Sequence, residues 1–335
     1  MTLLPRNTIL QGDALEQLAE LPPGSIDCVI TSPPYYALRD YGRDGQLGLE
    51  PTIDGWVANL RRVFAELARV IKPTGAAWLN LGDSYSRHDR YGVPAKGLLL
   101  GPERVLLALA ADGWLVRNKV VWIKPNPQPS SVTDRLTCAY EVVYLLVRSR
   151  SRYFFDLDAV REPHRSTRSK RARPGSARPP GWAGPLAGSQ EGLRRPRSVD
   201  MPGHILGKNP TDAWVIAPSA FRGGHFATFP EALVRRPLLA TCPEAVCTAC
   251  GEPWRRRTTR TRDYSDGERP GLGPLVPCGC GAPTAPGVVL DPFAGSGTVA
   301  IVARRHGRDY LGIELNPDYV RLAEDRIGRA DSQGP

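Results

Sequence analysis

The segment that most constrains the fold runs from Val288 to Glu314 and reads VVLDPFAGSGTVAIVARRHGRDYLGIE. It contains a short apolar run, a loop with two glycines, a stretch with helical spacing and a second apolar run. Strands and helices that alternate in this way form parallel sheets, because each helix carries the chain back to the level at which the previous strand began. The segment therefore predicts a strand–helix–strand unit with a glycine-containing loop after its first strand.

The same alternation runs through the first 150 residues, which favours an α/β fold with a mostly parallel sheet covered by helices. Two strands without a helix between them, Val116–Ile123 and Glu141–Val147, predict an antiparallel hairpin near the sheet edge. The other predicted strands are Thr8–Gln11, Ile26–Thr31 and Ala76–Leu81, and the predicted helices are Ala14–Leu21, Asp54–Ile71, Leu99–Ala111 and Phe226–Leu239.

The glycine loop has the features of a nucleotide-binding turn. Gly295 and Gly297, followed by Ala300, fit the looser form of the dinucleotide fingerprint, and the absence of a lysine after the second glycine disfavours a phosphate-binding P-loop. Glu314, at the end of the next strand, could accept hydrogen bonds from the ribose of either NAD or S-adenosylmethionine, or could cap a helix. Asp13, after the first strand, could bind an adenine amino group or cap the helix that follows.

A second unusual segment ends the predicted strand Ile26–Thr31, where the chain continues as Ser32, Pro33, Pro34 and Tyr35. Prolines donate no hydrogen bond to a sheet, so the strand must stop there. Two adjacent prolines also hold the backbone in one extended shape and fix the flanking serine and tyrosine. The segment presents a carbonyl, a hydroxyl and an aromatic ring, a set that suits a flat ligand.

The charge of the chain is strongly positive and unevenly distributed. The formal net charge is +10, and the segment Arg161–Asp200 carries ten Lys and Arg against three Asp and Glu. Such a segment favours a polyanionic partner, with nucleic acid as the first candidate, and a solvated disordered loop is the alternative. The sequence contains no run of 18 apolar residues and no signal-peptide pattern, so we expect a cytosolic protein without a membrane partner.

Five of the seven cysteines fall within one short region, and disulfides are rare in the cytosol. The spacing of Cys247 and Cys250, followed by Cys278 and Cys280, favours a structural zinc site, with free thiols as the alternative and Cys242 as a substitute ligand. Arginines within the same region could clamp the phosphate backbone of a nucleic acid: Arg255, Arg256, Arg257, Arg260 and Arg262.

Taken together, the loop Asp291–Thr298 and the segment Thr31–Tyr35 resemble the motifs of the amino-DNA methyltransferases. The catalytic motif precedes the cofactor loop and a basic insertion lies between them, which is the order found in the beta group of this family. Further segments that match the family are Gly12-Asp13, Arg69–Gly75, Trp122–Pro125 and His225–Pro230.

This resemblance implies a Rossmann-like fold and S-adenosylmethionine as the cofactor. It implies that Ser32, Pro33, Pro34 and Tyr35 form the catalytic motif, in which the serine hydroxyl and the Pro33 carbonyl hold the target amine and the tyrosine stacks on a flipped base. No cysteine takes part, so Cys28 and Cys138 are expected to be core residues. The implied cofactor-binding residues are Asp13, Phe226, Thr228, Asp291, Phe293, Gly295, Ser296, Gly297 and Glu314.

The identity of the target base follows from one residue of the motif. In this family a serine at the position of Ser32 is usual for methylation of cytosine N4, whereas Asp or Asn is usual for adenine N6. The resemblance therefore favours cytosine in double-stranded DNA, with adenine as the alternative. An RNA substrate is also compatible with the motifs, as is a non-catalytic DNA-binding protein with a degraded methyltransferase fold.

The resemblance also predicts how the chain is divided and what it meets. A cognate restriction endonuclease and a second copy of the chain are the further partners that it allows. Residues 1–160 would form the catalytic half of a methyltransferase domain, and 161–224 a basic, partly disordered target-recognition insertion. Residues 225–241 and 284–329 would form the cofactor-binding half, interrupted by a zinc-binding insertion at 242–283.

Overall fold

The structure is a computed structural model, and it describes residues 3–40, 42–163, 204, 206–219, 230–257 and 271–332. The strands are β1 (Thr8–Gln11), β2 (Ile26–Thr31), β3 (Ile71–Leu81), β4 (Leu115–Ile123), β5 (Tyr140–Val147), β6 (Ala213–Val215), β7 (Val246–Cys247), β8 (Arg255–Arg256), β9 (Leu275–Val276), β10 (Thr284–Ala285), β11 (Val288–Asp291) and β12 (Asp309–Glu314). The helices are α1 (Ala14–Glu20), α2 (Ile53–Val70), α3 (Gly101–Ala111), α4 (Glu231–Thr241), α5 (Thr298–Arg305) and α6 (Pro317–Ser332), with short 3-10 helices at Asp89–Tyr91 and Asp158–Val160.

Eight strands form one sheet in the order β1, β12, β11, β2, β3, β5, β4, β6. Neighbouring strands are parallel, except that β5 is antiparallel to both β3 and β4. The predicted α/β fold, with its mostly parallel sheet and its antiparallel hairpin, is confirmed. The sequence analysis does not predict β6, which is only three residues long and lies outside β4.

The first and last strands of the sequence are neighbours in this sheet. Gln11 of β1 lies opposite Glu314 of β12. Arg6, just before β1, forms an ion pair of 2.8 Å with Asp309 at the start of β12. The N-terminal and C-terminal segments of the chain therefore build one half of the sheet together.

Helices cover both faces of the sheet and bury two apolar clusters. On one face α1, α2 and α3 pack against the strands, and α2 contributes Trp56, Leu60, Phe64 and Leu67, which are at most 1% exposed. These residues recur at helical spacing, so one side of α2 is continuously apolar. On the other face α4, α5 and α6 form the second cluster. Among the described residues, no helix is long and apolar enough to cross a membrane.

Several element bounds differ from the predictions. The clearest difference is α3, which begins at Gly101 rather than Leu99. Leu100 has a left-handed backbone with φ of 55°, and the Asp83 carboxylate accepts hydrogen bonds from the N–H groups of Leu100 (3.1 Å) and Gly101 (3.2 Å). This distant carboxylate fixes the helix start, which local spacing could not reveal. Smaller differences are the earlier starts of α2 at Ile53 and β3 at Ile71 and the end of α4 at Thr241, whereas residues 226–229 of the predicted helix lie outside the described residues.

The two cysteines expected in the core have different surroundings. Cys28 lies in the centre of β2 and is fully buried. Cys138 is exposed, so that expectation is wrong. It lies in the loop between β4 and β5, two residues before the strand begins, where no helix covers the chain.

The strand directions bring distant parts of the sequence to one edge of the sheet. Because β1, β12, β11, β2 and β3 are parallel, their carboxyl ends lie side by side, and we call this edge the carboxyl edge. The antiparallel β5 begins at the same edge, with Glu141 near its first residue. Ligand sites of open parallel sheets lie at this edge.

Candidate active site and metal centre

The segment that follows β2 is held in place by its own prolines and by α2. Pro33 is buried and Ser32 is half-buried. The indole Nε1 of Trp56 donates a hydrogen bond of 3.0 Å to the Pro34 carbonyl. Among the described residues, nothing donates to the Pro33 carbonyl. The segment therefore has a fixed backbone with a hydroxyl and a carbonyl next to each other.

A polar network lies beside this segment. The Tyr35 hydroxyl donates to Glu141 Oε2 at 2.6 Å and is 3.2 Å from Ser32 Oγ. Asn80 Nδ2, near the end of β3, lies 2.7 Å from both the Tyr35 oxygen and Glu141 Oε2. Lys124 forms an ion pair with Glu141 Oε1. Four strands or their adjoining loops thus contribute to one cluster at the carboxyl edge.

The position of the Tyr35 ring depends on a glycine of the neighbouring strand end. A Cβ atom at Gly82 would lie 2.7 Å from Tyr35 Cε2, so any side chain there would displace the ring. The ring reaches over this position and its hydroxyl enters the polar network. The sequence analysis singles out Lys124 only as part of a motif and does not identify Asn80 or Glu141. A polar residue within an otherwise apolar strand is the signal that could have found them.

The two glycines of the loop after β11 have different roles. Both have left-handed backbones, with φ of 51° at Gly295 and 76° at Gly297. A Cβ at Gly297 would lie 2.9 Å from the Cβ of Ala323 in α6, whereas a Cβ at Gly295 would meet only a carbonyl at 3.9 Å. Gly297 therefore permits the packing of two helices, and Gly295 borders open space. The Ser296 hydroxyl between them accepts a hydrogen bond from Arg326 of α6.

Asp291 connects the loop after β11 with the strand β2. Its Oδ1 accepts hydrogen bonds from Thr31 Oγ1 at 2.7 Å and from the N–H of Phe293 at 3.1 Å. Its Oδ2 is buried and has no hydrogen-bond partner among the described residues. Burial raises the pKa of Asp291 to about 7, although the bonds from Thr31 and Phe293 favour the ionised form.

Glu314 holds the loop from the end of β12. Its two carboxylate oxygens accept hydrogen bonds of 2.8 Å from the N–H groups of Gly295 and Asn316. Burial raises the pKa of this carboxyl, against the effect of those N–H groups. Each oxygen retains a second lone pair for a ligand hydroxyl. Glu314 therefore fixes the cofactor loop and can also contact what the loop binds.

The remaining predicted cofactor residues are a helix cap and two residues that the structure does not describe. Asp13 Oδ1 accepts hydrogen bonds from the N–H groups of Leu15 (2.8 Å) and Glu16 (3.2 Å), so Asp13 is the N-cap of α1. Phe226 and Thr228 lie outside the described residues.

Four cysteines meet in the segment between α4 and β11. The sulfur atoms of Cys247, Cys250, Cys278 and Cys280 all lie within 4.8 Å of one another. Cys247 belongs to the small hairpin of β7 and β10. Backbone N–H groups of Cys250 and Ala249 lower the pKa of the Cys247 thiol to about 6. The cluster therefore offers the donor set that a tetrahedral metal ion requires.

Cys242 is not part of this cluster. Its side chain is fully buried at the end of α4, and burial raises the pKa of its thiol well above the usual value. The alternative in which Cys242 replaces one ligand is therefore not supported. The cluster of four that the sequence spacing indicates is the one that the structure assembles.

One of the arginines expected to clamp a phosphate backbone has a different role. The Arg256 guanidinium is only 10% exposed and is paired with Asp156 at 2.7 Å and with Glu244. A buried, doubly paired guanidinium cannot reach a phosphate, so that expectation is wrong for Arg256. The pair instead fastens the cysteine-containing segment to the main sheet domain. Arg257 is exposed, and Arg260 and Arg262 lie outside the described residues.

Comparisons with known proteins agree on the kind of protein this chain resembles. The model of a family described as DNA methylase, N6_N4_Mtase, matches residues 26–325. The type II methyltransferase M.XycI of Xanthomonas campestris pv. cyanopsidis is 34% identical over 346 residues, which cover 97% of this chain and 89% of that protein. The type II methyltransferase M.Cfr9I of Citrobacter freundii is 33% identical with the same coverage.

Two solved structures share the fold. The PvuII DNA methyltransferase, which is cytosine-N4-specific, matches with a TM-score of 0.57 at 19% identity, over 98% of this chain and 95% of its own. A DNA modification methylase of Thermus thermophilus, complexed with S-adenosyl-L-methionine, matches with a TM-score of 0.52 at 22% identity, over 96% of this chain and 95% of its own.

Proposed function

Because the chain belongs to the DNA methylase family N6_N4_Mtase and is a DNA methyltransferase, we propose that it methylates the exocyclic N4 of cytosine at a specific site in duplex DNA, using S-adenosyl-L-methionine. The observation that carries the proposal is the junction of β2 and β11 at the carboxyl edge. There the Thr31 hydroxyl binds Asp291, so that the Ser32-Pro33 pair lies next to the glycine loop. A methyl donor held by the loop would face an amine held by the pair.

The residues of the glycine loop fit a cationic nucleoside. The buried Asp291 Oδ2 lacks a partner among the described residues, and such an atom needs a donor from a ligand. Gly295 borders open space, so a ligand can approach its backbone. Asp291, Phe293, Gly295 and Glu314 would hold the cofactor, which supplies a methyl group on a positively charged sulfur. The two carboxylates favour that charge.

The Ser32-Pro33 pair fits an amino group. An exocyclic amine has two N–H donors, and the Ser32 hydroxyl and the Pro33 carbonyl are two acceptors at adjacent positions. The Pro34 carbonyl is already bound by Trp56, so Pro33 is the carbonyl that remains. Holding both N–H groups orients the nitrogen lone pair towards the methyl group. The base must leave the helix stack to reach this site, since the pair lies at the end of a buried strand.

The choice of cytosine rests on Ser32. A neutral hydroxyl accepts one hydrogen bond from the amine and can donate another, whereas a carboxylate only accepts. The cytosine-N4-specific PvuII enzyme shares the fold, which supports cytosine without deciding it. Adenine N6 methylation at the same site is the second candidate, since the pair could hold either amine.

The proposed DNA partner is supported by the charge of the chain. The net charge of +10 favours a polyanion. The target-recognition insertion proposed at 161–224 lies mostly outside the described residues. M.XycI and M.Cfr9I are type II methyltransferases, which supports a cognate restriction endonuclease as a further partner. The division into two half-domains and two insertions, the second copy of the chain and the cytoplasmic location stay predictions.

A structural zinc ion is proposed for the four-cysteine cluster. A tetrahedral zinc ion with four sulfur ligands places those atoms about 3.8 Å apart, given a bond of about 2.3 Å. Cys250 and Cys278 have their sulfur atoms 3.6 Å apart, and all four atoms lie within 4.8 Å. Four protein ligands leave no open position, so this metal would stabilise the fold and take no part in methyl transfer.

The experiment that tests the proposed function is mass spectrometry of nucleosides from duplex DNA incubated with the protein and methyl-labelled cofactor. Labelled N4-methylcytosine is the expected product, and N6-methyladenine would overturn the inference from Ser32. The matched control is the Ser32→Ala protein, which should bind the cofactor and leave the DNA almost unlabelled. Absence of label from DNAs of diverse sequence, together with absence of cofactor binding, would refute the proposed reaction.

A further inference from the structure

An ion pair lies behind the catalytic segment, and the reaction described above does not use it. The side chains of Lys124 and Glu141 are 23% and 13% exposed. Removing two charges from water costs free energy that their attraction often fails to restore, so stability alone is a weak reason for such a pair. The other oxygen of the Glu141 carboxylate accepts the Tyr35 hydroxyl at 2.6 Å. The pair therefore has a direct connection to the catalytic segment.

The direction of each hydrogen bond in this cluster can be assigned. An ionised carboxylate only accepts, so the Tyr35 proton points to Glu141. Asn80 has two N–H groups, and its two shortest contacts, of 2.7 Å, are with the Tyr35 oxygen and with Glu141. The contact of 3.2 Å between Ser32 and Tyr35 is then a bond donated by Ser32. All protons from Ser32 onwards point towards Glu141, and the Ser32 oxygen keeps a lone pair for an incoming N–H.

From this geometry we infer that Ser32, Tyr35 and Glu141 form a proton relay that deprotonates the target amine, with Glu141 as the final acceptor. The inference rests on the proposed function, because it requires an amine bound at Ser32. As the nitrogen–methyl bond forms, the methyl–sulfur bond breaks and sulfur keeps its electron pair. The amine then passes one proton to Ser32, the Ser32 proton passes to Tyr35, and the Tyr35 proton passes to Glu141. The methylated amine leaves neutral, and Glu141 later releases the proton to water.

The chemistry of the amine explains why such a relay matters. The lone pair of an exocyclic amine is delocalised into the ring, so a nitrogen that gains a methyl group while keeping both protons loses that delocalisation. Removing a proton during the attack avoids this state, and general-base catalysis contributes roughly 10²–10⁴-fold. Lys124 holds the far oxygen of Glu141 and so turns the other oxygen to Tyr35. Lys124 is a positioning residue in this scheme.

The test compares single-turnover methylation rates of variants that differ in one atom or group. Glu141→Gln keeps the shape and can still accept a hydrogen bond, but it cannot take a proton. Tyr35→Phe keeps the ring and interrupts the relay. We expect each variant to be about 100-fold slower, with cofactor and DNA dissociation constants within about threefold of those of the wild type. Glu141→Asp should recover part of the rate, because it restores a carboxylate.

A matched control and an isotope measurement separate the relay from a structural role. Glu103→Gln disrupts another ion pair of α3 and β4, in which Glu103 and Lys119 are 2.7 Å apart and exposed, and should methylate at the wild-type rate. The wild type should react more slowly in heavy water, and Tyr35→Phe should lose this isotope effect. Melting temperatures identify a variant that has unfolded, and the Tyr35→Phe and Glu141→Gln proteins test the same relay independently.

The outcomes distinguish this inference from the proposed function. A folded Glu141→Gln protein with a methylation rate within about threefold of the wild type would overturn the relay, while labelled cytosine from the wild type would leave the proposed function intact. A wild type that labels adenine would change the base, and the same variants would then decide the relay for that amine. A wild type that methylates neither base would overturn both.

Discussion

Replacing Asp291 by asparagine should make the ligand-free protein more resistant to unfolding at about pH 8 than the wild type. The Asp291 carboxyl is 3% exposed, and burial raises its pKa from 3.8 to about 7. A rise of about three pH units corresponds to about 4 kcal/mol of destabilisation when the group is fully ionised in the folded state. Asparagine carries no charge, and its Oδ1 can still accept the bonds from Thr31 and Phe293.

The sign of the effect follows from which state holds the proton. Between about pH 4 and pH 7 the folded state keeps a proton that the unfolded state has released, so the stability of the wild type falls as the pH rises through this window. Integrated from about pH 5 to about pH 8, the loss is about 2–3 kcal/mol. The asparagine variant does not share this loss. Its unpaired amide adds a cost that is the same at every pH and cancels in the comparison.

The assay is urea unfolding of ligand-free protein, with the free energy of unfolding measured for both proteins at several pH values. The variant should gain about 2–3 kcal/mol relative to the wild type between about pH 5 and about pH 8. Asp112→Asn is a control with the opposite sign, because Arg61 lowers the pKa of that carboxyl. A difference between Asp291→Asn and wild type that stays constant with pH would refute the argument that Asp291 is ionised against its surroundings.

Three further predictions concern the catalytic segment, the metal and the glycine loop. Ser32→Ala should lower the single-turnover methylation rate by about 10²-fold or more and leave the cofactor dissociation constant nearly unchanged, and equal losses of both in rapid-quench and binding measurements would remove its proposed role. Cys250→Ser should lose the zinc that metal analysis finds at about one ion per chain, whereas Cys138→Ser, outside the cluster, should keep it; unchanged zinc in both variants would count against the site. Gly297→Ala should lower the free energy of unfolding by about 2–4 kcal/mol, since it adds a clash with α6 to a strained backbone, whereas Gly307→Ala should lower it by only about 1 kcal/mol, and equal effects in denaturant unfolding would contradict the packing role of Gly297.

Local patterns predict most of the sheet. The bounds of β1 and β2 agree with the prediction, because a short apolar run between turn residues has few other interpretations. The positions of Ser32, Asp291 and Glu314 at one edge also follow from the sequence, since each comes directly after a predicted parallel strand or ends one. These residues need no knowledge of distant contacts.

Contacts between distant residues account for what the sequence analysis misses. Glu141 lies 106 positions from Tyr35, and nothing near either residue indicates that they meet. Arg256 has the same difficulty, since its partner Asp156 is 100 positions away. A cluster of arginines in a basic chain favours a nucleic-acid contact by composition, but a buried acidic partner reverses the interpretation for one of them.

The pairing of β1 with β12 has a consequence for how the protein is made. These neighbours are separated by roughly 300 residues, and closing a loop of that length costs about 5 kcal/mol of chain entropy. A ribosome releases β1 and β2 long before β11 and β12 exist, so both early strands wait with an unpaired edge during synthesis. Exposed strand edges are sites of aggregation. The sheet can close only when the glycine loop has emerged, so this protein acquires its cofactor site and its complete fold in the same late step of translation.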